Sequence, residues 1–185
     1  MRKIVLTYGL IAGAILSILM VISLNFHDQI GFDRAIFVGY TTMVVAFLMV
    51  FFGVKSYRDN VAPEGLSFGR AFLVGLGITL IGTACYVATW QLVKDRLAPN
   101  YMDEYATYTL EKARQSGASA AEIAEKSREM AEFAEMYKKP LVNIAFTFLE
   151  PLPVGLVMAL VSAGILRRKR VALAGSTVGR ASHAV

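Results

Sequence analysis

The sequence predicts an all-α integral membrane protein: a four-helix bundle with an extracytoplasmic helical hairpin between its third and fourth spans. Three observations predict it. Four long apolar runs occupy about half the chain, the charges between them alternate in sign balance from one connection to the next, and a polar, helix-forming insertion precedes the last run. The runs 4–24, 35–54, 71–93 and 141–166 hold 20 to 26 residues each, and the one formal charge inside them is Glu150. A helix rises about 1.5 Å per residue, so roughly 20 residues match a hydrocarbon core about 30 Å thick.

Of 185 residues, 56% are hydrophobic, yet 19 Lys and Arg and 14 Asp and Glu remain, gathered between and outside the runs. Little chain is left for a separate soluble domain, so residues 1–170 are expected to form one membrane domain and 171–185 a flexible cytoplasmic tail. If the chain crosses four times, Arg2, Lys3, Lys55, Arg58, Arg70, Arg167, Arg168, Lys169, Arg170 and Arg180 share one side with only Asp59 and Glu64. The acids of the first connection and of the insertion fall on the other. The positive-inside rule then makes both termini cytoplasmic. The cluster Arg167, Arg168, Lys169 and Arg170 follows directly on the last run, as a headgroup anchor does, and lacks the aromatic interleaving of a nucleic-acid surface. Membrane lipid, not nucleic acid, is the expected partner.

The first run is read as a permanent helix, because the NFHDQ that follows Leu24 offers no small-x-small cleavage site. Residues 25–34, polar and broken by Gly31, predict a short connection and an antiparallel pair of spans. Residues 55–70, with Pro63 and Gly65, predict a longer loop. In the third run Tyr86 and Trp90 are four apart, which places both rings on one face near the outer boundary, where amphipathic aromatics gather. The insertion 98–139 divides into helices 101–115 and 120–139 around Ser116, Gly117, Ala118 and Ser119. Ser119 and Glu122 have capping-box spacing, and Ile123, Met130, Phe133 and Tyr137 form a narrow apolar stripe that must lean on the bundle, the membrane surface or a second subunit.

Small residues recur at every fourth position: Gly9, Gly13 and Ser17 in the first span, Ala71, Gly75, Thr79 and Thr83 in the third, Gly155, Ala159 and Ala163 in the fourth. Such faces let backbones approach closely, within one bundle or across a homodimer.

Glu150 stands ten positions into the fourth run, about 15 Å from its start by helical rise. A carboxylate there requires a partner, a wet cavity or an interior position, and is a functional candidate. Pro151 and Pro153 follow it, and each removes a backbone donor, which predicts a kinked helix with unbonded carbonyls. Depth matching puts Thr83 and Tyr86 of the third run within reach of Glu150, along with the neighbourhoods of Ser17 and of Thr42. Cys85 is the sole cysteine, so neither an intramolecular disulfide nor a thiolate cluster forms. No GxSxG, HExxH or P-loop pattern occurs, and no catalytic, cofactor or metal residue is assigned.

The segment YRDNVAPEGLSFGRAFLVGLGITL at 57–80 and FLEPLPVGLVMALVSAGILRRKR at 148–170 resemble the domain-of-unknown-function 4199 family of small bacterial inner-membrane proteins. Gly65, Ser67, Phe68, Ala71, Phe72 and Gly75, then Glu150, Pro153 and Gly155, carry the resemblance, which extends from Tyr8 to Arg170. It implies a four-span bacterial envelope protein and brings no activity with it. The expected function is that of a non-enzymatic accessory or interaction protein with a membrane-protein partner or a second copy. The alternative is a small transporter or proton- or cation-coupled carrier using Glu150.

Overall fold

The apolar runs fold into helices that outrun them at nearly every end. In a computed structural model, which describes residues 1–167, the elements are α1 (Arg2–Asn25), α2 (His27–Ile30), α3 (Phe32–Asn60), α4 (Phe68–Leu97), α5 (Tyr101–Gln115), α6 (Ala120–Tyr137), α7 (Pro140–Leu149) and α8 (Leu152–Leu166). Arg168, Lys169, Arg170 and the predicted tail lie outside the described residues; Arg167 follows the last helical residue of α8. Four helical stretches, α1, α3, α4 and α7 with α8, are long and apolar enough to cross a membrane.

Two connections differ from expectation. The segment 25–34 is not simply a loop, because α2 inserts one helical turn before Gly31, whose φ of 69° only glycine adopts freely. The loop expected over 55–70 shrinks to 61–67. A nucleated helix gains a hydrogen bond with each added residue, and Lys55 and Arg58 extend their charged ends beyond the apolar zone while their stems follow it. Tyr57 is buried inside this extension. Ser67 then caps α4, its hydroxyl accepting from the Arg70 amide at 3.4 Å.

The small-residue stripes are the packing seams. A Cβ added at Gly9 would stand 2.7 Å from Ile81 Cβ, and one at Gly13 2.5 Å from Cys85 Cβ. One turn further, Ser17 Oγ and Thr89 Oγ1 share a hydrogen bond of 2.6 Å. Gly9, Gly13 and Ser17 thus meet Ile81, Cys85 and Thr89 in the same order, so α1 and α4 run parallel. Along α4 and α8 the order reverses: Gly75 abuts Ala159, and the Thr79 hydroxyl donates to the Gly155 carbonyl at 3.2 Å. Removing side-chain bulk at these positions brings backbones close enough for dispersion contacts to accumulate. Phe47, Val50, Val54, Leu66, Val74 and Ile78 fill the remaining core with no exposed surface. Leu10, Ile18, Phe37 and Ile165 point outward, as lipid-facing residues do.

The two insertion helices lean on the bundle. Phe32 stacks on Tyr108 of α5 with centroids 5.2 Å apart, and Phe133 of α6 meets Phe146 of α7 edge-on at 5.3 Å. The capping box at Ser119 and Glu122 is formed. Lys112 Nζ and the Tyr108 hydroxyl both donate to Asp33 Oδ1, at 2.7 and 2.6 Å.

Candidate functional site: a cavity at Glu150

Asn143, Thr147 and Glu150 follow one another at steps of four and three, which places them on one face of α7, turned toward α4. Asn143 Oδ1 accepts from Trp90 Nε1 at 3.2 Å and from Gln91 Nε2 at 2.6 Å. The Thr147 hydroxyl donates to the Asn143 carbonyl at 2.8 Å. The Tyr86 hydroxyl donates to Glu150 Oε2 at 3.0 Å. A line of polar contacts therefore ties the first half of the fourth span to the second half of the third. It ends where Pro151 and Pro153 deprive the Thr147 and Leu149 carbonyls of their helical donors.

Beside this line lies a cavity of about 150 Å³. Leu16, Met20 and Ser23 of α1 form one wall, and Ala35, Val38, Gly39, Thr42 and Met43 of α3 form another. Tyr86, Trp90, Thr147 and Glu150 close the side toward α4 and α7, and His27, Tyr101 and Tyr137 roof it. α3 packs along α8 but not along α7, which is held by α4 and α6. The outer part of α3 thus stands away from α7, and the cavity occupies the gap, with Glu150 exposed in it. Beneath, the seam of Thr79 with Gly155 and of Gly75 with Ala159 leaves a dry floor. A second cavity, of about 290 Å³, lies across Trp90 and Asn143 against the 98–100 turn; it holds no intramembrane acid.

The roof is held by aromatic contacts. Trp90 meets Tyr101 edge-on at 5.7 Å, and His27 meets Phe32 edge-on at 4.6 Å. Burial first, and then the nearby Glu150, push the Tyr101 phenol up to about 12, and burial raises that of Tyr137 as well. Both are neutral hydrogen-bonding groups at physiological pH. The hydrogen bond to Asp33 raises the Lys112 ammonium above its ordinary range, so the clasp between α5 and α3 keeps its charge.

Of the residues singled out from the sequence, Glu150 and Tyr86 meet directly, Thr42 lines the cavity, and Pro151 and Pro153 form the break. Thr83 does not join them: it is fully buried, and its Oγ1 has no hydrogen-bond partner. It lies three residues before Tyr86 on α4 and is not part of the cavity lining. Ser17 is committed to Thr89. Trp90 shares a face with Tyr86 as expected, but that face points inward, so its indole is buried against Asn143 rather than set in the lipid boundary. Asn143 and Thr147 are legible as polar residues seven and three positions before Glu150 on the same helix face. His27, Tyr101 and Tyr137 had no such signal, because distant chain segments bring them together. Among the described residues no group of three or more His, Cys, Asp or Glu side chains converges in a way that could hold a metal ion.

Four apolar helical spans around an acid-bearing cavity define a multi-pass helical membrane protein. The profile described as "Protein of unknown function (DUF4199)" matches residues 7–168, and the chain belongs to that family. No curated protein and no solved structure matches it.

Proposed function

We propose that the protein is a non-enzymatic component of the bacterial inner membrane, with both termini cytoplasmic and α5 and α6 forming an extracytoplasmic hairpin, and that it binds and carries a small solute at Glu150. The observation that supports this reading over a purely structural role is the cavity that ends at that carboxylate. A polar lock requires only the Tyr86 hydroxyl, whereas a binding site also requires space, and about 150 Å³ of it adjoins Glu150. At the same level the two prolines withhold the helical amide donors of the Thr147 and Leu149 carbonyls.

The reading is tested in proteoliposomes with the Glu150→Gln variant, which keeps side-chain size and removes the charge. Proton or cation flux is expected to fall at least about tenfold, the effect of losing one charged hydrogen-bonded contact. Unchanged flux, together with unchanged growth under ionic stress, would refute it.

The accessory reading also has an observation in its favour: neither α5 nor α6 contains a fully buried residue, so much of their surface is free for a partner. A homodimer would need other faces than the stripes through Gly9, Gly13, Gly75 and Gly155, which are occupied within the subunit. Crosslinking in mild detergent separates the two, since a strict monomer with no copurifying protein opposes the accessory role.

A further inference from the structure

We infer that the Glu150 cavity receives the ammonium head of an amphiphile that enters sideways from the lipid, between α3 and α7; this rests on the proposed reading of Glu150 as a binding site. Four observations converge. Glu150 is an acid within an apolar span, and among the described residues no Lys or Arg forms an ion pair with it. A cation is the complement it lacks.

The groups around it suit an organic cation better than a bare metal ion. Tyr86, Trp90, Tyr101 and Tyr137 all border the cavity, and aromatic faces attract ammonium groups, quaternary ones included. A hard cation would instead require several converging oxygens, and Glu150 is the single carboxylate on the lining.

Size agrees. A cavity of about 150 Å³ is the volume that accommodates a benzene-sized group, enough for a trimethylammonium or aminoethyl head and too small for a long chain. The rest of such a molecule must lie outside, and the gap between α3 and α7 gives it a place. On the α3 side that gap is bordered by Ala35, Val38 and Gly39, and a Cβ built at Gly39 meets nothing within 4 Å. The dry floor below and the pinned roof above leave the side as the natural entrance.

The chain has one tryptophan, and it lines the cavity, so Trp90 fluorescence reports occupancy directly. The full-length protein in phosphatidylglycerol nanodiscs is titrated with decyltrimethylammonium, decyl sulfate and tetramethylammonium. The first is expected to change Trp90 emission saturably, decyl sulfate to give no saturable change, and tetramethylammonium to bind at least about tenfold more weakly because it has no chain for the lateral gap. Glu150→Gln should weaken decyltrimethylammonium about tenfold or more. Gly39→Leu, at an open helical position that tolerates a side chain, should block it while leaving thermal stability unchanged.

Adding phosphatidylethanolamine to the nanodiscs identifies the source: competition assigns a lipid headgroup, and its absence assigns a free amphiphilic amine. An equal response to decyl sulfate, equal binding of tetramethylammonium, a Glu150→Gln protein that binds like the parent, or no saturable signal would each overturn the inference. If Glu150→Gln abolishes ion flux while no ammonium binds, the ligand assignment falls and the carrier reading stands. If neither flux nor binding depends on Glu150, both fall.

Discussion

Thr79 of α4 donates its hydroxyl to the carbonyl of Gly155 in α8 at 3.2 Å, and the two backbones approach so closely that a β-carbon at 155 has no room. This contact lies in the packed seam beyond the cavity lining and couples the last span to the third just after the proline break.

Gly155→Ala is therefore expected to destabilise the protein by about 1–3 kcal/mol, the usual cost of overpacking a close-packed seam. Unfolding in detergent measures it. In a Thr79→Ala background, where the opposing methyl and hydroxyl are gone, the same substitution should cost much less. Equal costs in both backgrounds would mean that Thr79 is not what Gly155 avoids.

Replacing Pro151 and Pro153 together by alanine restores two backbone donors to the Thr147 and Leu149 carbonyls. The new amides at 151 and 153 are expected to exchange slowly with deuterium, as amides within a continuous helix do. Fast exchange at both would show that packing against α4 and α3 holds the break open, and that the prolines only accommodate it.

Glu122 accepts from the Ser119 amide and hydroxyl at 2.7 and 2.8 Å, and the backbone bond first, then the side-chain bond, hold its carboxyl below the ordinary 4.5. A lowered folded value means that the stabilisation is complete above about 4.5 and is lost as pH falls through the folded value. Hydrogen-exchange protection of the first turn of α6 should decline over that window. Ser119→Ala, which removes the capping hydroxyl, should cost about 1 kcal/mol and flatten the response; a first turn indifferent to pH would contradict the assignment.

Much of this architecture was legible because it depends on local quantities. Run length and apolarity mark the spans, Ser119 and Glu122 mark the start of α6, and the two prolines mark the break. The fourfold spacing of Gly9 with Gly13, and of Gly155 with Ala159, marked the faces that pack. Thr83 departs from the expectation because depth along the membrane does not fix burial: it lies at the level assigned to it but is packed in the core, off the cavity lining. Trp90 was misplaced for a related reason, since its amphipathic ring is equally satisfied by a lipid boundary or by a buried Asn143.

The sequence by itself determined that four helices are long and apolar enough to cross a membrane, where they begin and end to within about two turns, and that an acid lies inside the last of them. Each follows from nearest-neighbour chemistry and from hydrocarbon's intolerance of unpaired polar groups. Only the tertiary structure decided that Tyr86 reaches Glu150, that α3 stands off α7, and that His27, Tyr101 and Tyr137 roof the resulting space. Those relationships depend on how the helices cross and part from one another, and that is set by packing among residues far apart in the chain.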